Sequence, residues 1–181
     1  VSVSTGNSDA DVSGAIDLST GGSNTGPSGA VTIRSGSSND GAGGEISLVV
    51  GDAGVGVGGN VSVQAGSTTD DSGAAGGSVV VATGTSVSGL SGALSLSSAD
   101  QTNSDATGSG DVTVRSGKAE SGLSGSITIA TGDSSTDQAG SIAMRVGVTF
   151  VPGGTGAPVT MAAGRGYTGG DIRISSGVGV S

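Results

Sequence analysis

The chain has 181 residues, of which 39 are Gly, with one Tyr, one Phe and no Trp, Cys or His; 15 acids against six basic residues give a net charge of −9. Without His or Cys the commonest general base and the thiol nucleophile are missing, so Ser-His-Asp and Cys-His arrangements cannot be built. The acidic balance, with Lys118 as the only lysine, argues against nucleic acid as a partner, no stretch reaches the length of a membrane span, and Gly is not at every third position as collagen requires.

Twelve short strands are predicted in chain order, each from two aliphatic residues spaced two apart. They are Val1/Val3, Ile16/Leu18, Val31/Ile33, Ile46/Leu48, Val61/Val63, Val79/Val81, Leu94/Leu96, Val112/Val114, Ile127/Ile129, Ile142/Met144, Val159/Met161 and Ile172/Ile174. Alternation over so short a run reads as a strand with one buried face, and a recurrence about every 15 residues reads as stacked copies of one unit. A small residue and usually Gly follow each pair, the next inward position being Thr5, Thr20, Ser35, Ala65, Thr83, Ser98, Thr131 or Ala163, but Val50 and Val146 in two units.

Odd and even units differ. The residue between the aliphatics is Ser2, Thr32, Ser62, Ser95, Thr128 and Thr160 in odd units, and Asp17, Ser47, Val80, Thr113, Ala143 and Arg173 in even ones. The repeat is therefore expected to be a two-strand coil of about 30 residues. The expected fold is all-β: a β-solenoid of about six two-strand coils, with twelve strands, about 15 residues per half-coil and two facing parallel sheets, forming one domain over residues 1–181. At the usual strand spacing such a rod section is about 29 Å long, with each coil stabilised by its neighbours.

The loops alternate as well. Those leaving odd strands carry Asp9 and Asp11, Asp40, Asp70 and Asp71, Asp100 and Asp105, and Asp133 and Asp137. Stacked carboxylates are oxygen ligands suited to Ca²⁺, which makes Asp40, Asp70, Asp71, Asp100 and Asp133 candidate calcium ligands; the competing reading is an acidic, soluble edge, and no other cofactor is expected. Loops leaving even strands place Pro27, Val57, Leu90 and Leu123 two residues before the closing Gly. These either tuck under their own loops or form a seam for a lateral partner.

The odd-face hydroxyl column resembles half of the flat Thr array familiar in ice-binding proteins, but the second outward column reads Ser4, Arg34, Gln64, Ser97, Ala130 and Ala162. Glycans are a further expected partner of so Ser- and Thr-rich a chain, and Asn60-Val61-Ser62 matches the N-linked acceptor pattern, although a strand start is a poor place for it. The enzymatic rival is a β-helix polysaccharide hydrolase or lyase, whose chemistry needs clustered carboxylates; Arg115 and Lys118 beside Glu120 do not supply them. No enzyme is expected.

The chain opens directly in a strand, which reads as the loss of a leader or preceding sequence, and neither end shows a helix or polar cap. Uncapped strands at Val1, Val3, Ile172 and Ile174, with Phe150 and Tyr167 nearby, are the expected assembly residues. A non-closing end-to-end contact makes a filament.

The units Gly110-Asp111-Val112-Thr113-Val114-Arg115-Ser116-Gly117 and Gly125-Ser126-Ile127-Thr128-Ile129-Ala130-Thr131-Gly132 resemble Gly/Ser-rich repeats of extracellular proteins of diatoms and related microalgae, and of microbial adhesin shafts. The resemblance covers essentially the whole chain. It implies a secreted or cell-surface structural role and brings no catalytic residue with it. The expected function is an extracellular structural protein that forms a fibre or shaft as an end-to-end homopolymer; the alternative is an adhesive, glycan- or ice-binding module.

Overall fold

The computed structural model describes residues 1–103 and 108–179. Among these residues there is no helix and no strand. The expected β-solenoid is therefore incorrect, together with its twelve strands and its two facing sheets. The structure is irregular chain punctuated by bends.

The reason lies in which contacts the backbone makes. A solenoid needs a ladder between residues one coil, about 30 positions, apart. Among the described residues the backbone bonds outside regular elements are Gly77 N–H to Gly66 C=O (2.9 Å), Gly92 N–H to Gly84 C=O (2.9 Å), Gly154 N–H to Val151 C=O (2.8 Å) and Gly170 N–H to Gly164 C=O (2.9 Å). All four close a single loop. Two aliphatics in fifteen residues, flanked by glycines that weaken a strand, leave little side-chain surface with which to hold a ladder together.

The chain divides into two units, Val1–Ala93 and Leu94–Ser181. In the first, bends fall at 9–11, 24–26, 39–41, 54–56, 71–73 and 87–89; in the second, at 120–122, 135–137, 151–153 and 166–168. Each bend lies between two successive aliphatic pairs. The 15-residue period is thus a period of chain bends.

A pinch accompanies nearly every bend. The small residue two beyond an aliphatic pair comes against the glycine two before the next pair. A Cβ built on Gly14 would stand 3.1 Å from Thr5 Cγ2, on Gly44 3.2 Å from Ser35 Cβ, on Gly92 3.2 Å from Thr83 Cβ, and on Gly59 only 2.6 Å from Val50 Cγ1. In the second unit the corresponding approaches are looser, 3.6 Å for Gly125 to Ser116 Cβ and for Gly140 to Thr131 Cβ. Thr20 adds a hydrogen bond, its hydroxyl donating to Gly29 C=O at 3.1 Å. The column of small residues therefore meets the far side of its own loop and not an interior shared between coils.

No described residue is buried. The accessible area is 17977 Å², against about 7,600 Å² for a folded monomer of this mass and about 24,000 Å² for its unfolded chain. The most covered of the large aliphatics are Val50, whose methyl meets Gly59, and Val146, at the same place in its own repeat, at 40% and 39% exposure.

Candidate association surface

The geometry is set by the bends, and the bends by a residue that the aliphatic pattern does not display. At the fifth position after the second aliphatic stand Ser8, Ser23, Thr68, Ser86, Gln101, Ser134 and Thr149. Ser8 Oγ accepts the Asp11 N–H (3.1 Å), Ser23 Oγ that of Gly26 (3.2 Å), Ser86 Oγ that of Gly89 (2.9 Å) and Ser134 Oγ that of Asp137 (3.1 Å). Thr68, Gln101 and Thr149 reach the N–H two residues on, in Asp70, Asn103 and Val151, at 3.1, 3.3 and 3.5 Å. Side-chain oxygens that bond nearby backbone donors hold a turn without any ladder. Where the position is Ala53 or Ala119, the bend instead contains Gly56 at φ 90° or Gly122 at φ 85°, a conformation that only Gly adopts freely.

The bends leave the aliphatic pairs without cover. In the pairs from Ile16/Leu18 to Ile172/Ile174, exposure runs from half to more than four-fifths. Val1 and Val3 are exposed as well, as are Ile172, Ile174, Phe150 and Tyr167, so the six expected assembly residues are open to a partner. Val57, Leu90 and Leu123 are almost wholly exposed, as is Pro27 by class. They do not tuck under their loops.

Among the described residues no group of three or more Asp or Glu is placed to hold a metal ion, and the candidates Asp40, Asp70, Asp71, Asp100 and Asp133 are all exposed; Asp105 lies outside the described residues. Asp70 has a local role. Its Oδ1 accepts the Ser72 N–H at 2.8 Å, and hydrogen bonds from the Ser72 side chain and backbone hold the carboxyl below its ordinary pKa.

Among the described residues two ion pairs are formed within short loops, Lys118 to Glu120 and Arg173 to Asp171 (3.0 Å). A recess of about 590 Å³ is lined by Arg115, Ser116, Gly117, Lys118, Ala119 and Ser124. With Lys118 engaged by Glu120, it holds no carboxylate pair and no nucleophile with a base. Asn60 of the Asn60-Val61-Ser62 acceptor pattern is exposed and outside any strand. No described helix is long and apolar enough to cross a membrane.

Comparison with protein-family models, with curated proteins and with solved structures returns no match. The residues themselves carry the functional reading.

Proposed function

We propose that the protein is a structural protein, secreted or at the cell surface, that associates with copies of itself and covers its aliphatic pairs only in that association. One observation carries this reading: aliphatic pairs recur about every 15 residues, and none of them is buried within its own chain. Exposed apolar surface repeated at this density marks sites of association. The Gly- and Ser-rich bends set the spacing between the pairs, so a second copy with the same period meets them in register. No catalysis is part of the reading.

The test is sedimentation velocity of the purified chain over a concentration series, without added ligand. Mass that grows with concentration, accompanied by loss of exposed apolar surface to a hydrophobic dye, is the expected result. A single monomeric boundary up to the solubility limit would refute it.

A further inference from the structure

The charges and the interface-forming side chains of this chain are unevenly placed. Residues 1–137 carry fourteen acids against Arg34, Arg115 and Lys118, a net charge of −11. Residues 138–181 carry only Asp171 against Arg145, Arg165 and Arg173, a net charge of +2. Both aromatics, Phe150 and Tyr167, and both methionines, Met144 and Met161, lie in this cationic stretch. Aromatic residues, Met and Arg are the types enriched where proteins bind one another.

The structure presents these groups outward. Phe150 immediately precedes the bend at 151–153 and Tyr167 sits in the bend at 166–168, and both side chains are almost wholly exposed. The Gly170 N–H to Gly164 C=O bond, at 2.9 Å, closes a short loop that holds Arg165 and Tyr167 together. Arg173 is engaged by Asp171, but Arg145 and Arg165 have no ion pair among the described residues. The bends of residues 1–137 offer the opposite charge, with Asp9, Asp40, Asp70, Asp71 and Asp133 all exposed.

We infer that residues 142–174 of one copy dock on the acidic loops of residues 1–137 of a second copy. The inference rests on the self-association proposed above and gives it a direction. The two surfaces are different, so the contact is heterologous, and each copy offers one of each; repeated without closure, it yields an open string of copies. A symmetric contact between acidic stretches would instead set −11 against −11, which like-charge repulsion opposes.

The experiment is sedimentation of the full chain at low and at high salt, alongside the full-length variant Arg145→Ser/Arg165→Ser/Arg173→Ser. Screening weakens exposed attractions, so wild-type association should fall as salt rises. Loss of the exposed guanidinium groups, two of them without an ion pair in their own chain, should weaken it about tenfold at low salt. A dye-labelled variant should still sediment with unlabelled wild type, because its acidic loops remain to receive the wild-type cationic stretch.

Association that is indifferent to both salt and the triple substitution overturns the docking inference and leaves self-association standing. A labelled variant that fails to join wild type overturns the heterologous contact. A wild-type chain that stays monomeric under every condition overturns both readings.

Discussion

The tightest pinch supplies the sharpest test of the bend architecture. A Cβ on Gly59 would lie 2.6 Å from Val50 Cγ1, well inside ordinary carbon contact of about 3.5 Å, and Val is stiff at χ1, so its methyl has few places to go. Gly59→Ala should therefore open the loop from Val50 to residue 59, within the link between Ile46/Leu48 and Val61/Val63. Val50 is 40% exposed where Val63, outside a pinch, is 73% exposed. Opening thus returns about a third of a valine to water, about 0.5–1 kcal/mol, or about a two- to fivefold fall in the closed population. The assay is the nuclear Overhauser effect between the Val50 methyls and the α-proton of residue 59. Gly58→Ala is the control, because nothing stands within 4 Å of a Cβ there. The double variant Val50→Ala/Gly59→Ala removes the obstructing methyl and should restore the approach, read between the residue 50 β-protons and residue 59. Equal spectra for Gly58→Ala and Gly59→Ala would refute the pinch.

Three further outcomes are expected. Ser86→Ala deletes the acceptor of the Gly89 N–H, and an exposed hydrogen bond contributes about 0.5 kcal/mol at the low end of the measured range, so Gly89 amide exchange should speed up about twofold while that of Gly26, held by Ser23, is unchanged. The Ser72 amide should report on Asp70: because that carboxyl's pKa is lowered by its bonds to Ser72, the contact is present above the ordinary Asp value and is lost as pH falls through the lowered one. An amide shift that titrates at or above the ordinary Asp value contradicts this, and Asp70→Asn should abolish the titration. Finally, far-ultraviolet circular dichroism of the dilute chain should lack the β minimum, as no described residue lies in a strand; a strong β signal at concentrations where the chain sediments as a monomer would contradict the irregular fold.

The period was legible in the sequence, and its meaning was not. Ile16/Leu18, Val31/Ile33 and Ile46/Leu48 mark the repeat correctly, and the bends at 24–26 and 39–41 lie midway between them. Stacked coils and independently closed loops impose the same requirement on such a sequence, namely a short residue at the loop entry and Gly at its exit. Thr5 facing Gly14, and Ser35 facing Gly44, satisfy either. What separates the two is the partner of the backbone N–H groups, which side-chain alternation does not encode. The bend-closing residues could have been found, since Ser8 and Ser23 are themselves 15 apart and head a Ser-x-x-Asp and a Ser-x-x-Gly run, a local turn signal.

The candidate surface was legible in part, and for a different reason. Exposure of Phe150 and Tyr167 follows from their places beside and within bends, and the acidic loops were plain from composition. The expectation that Asp40, Asp70 and Asp133 stack required coils in contact; without coils, no group of three or more Asp or Glu among the described residues is placed to hold a metal ion. The same loss of stacking bears on association. In a solenoid the aliphatics would be spent on the interior, and only its two ends would remain to bind. In the bent chain every pair from Val1/Val3 to Ile172/Ile174 is exposed, so contact is available along the repeat, and the distribution of charge, −11 over residues 1–137 against +2 over residues 138–181, is what selects one alignment of two copies over the others.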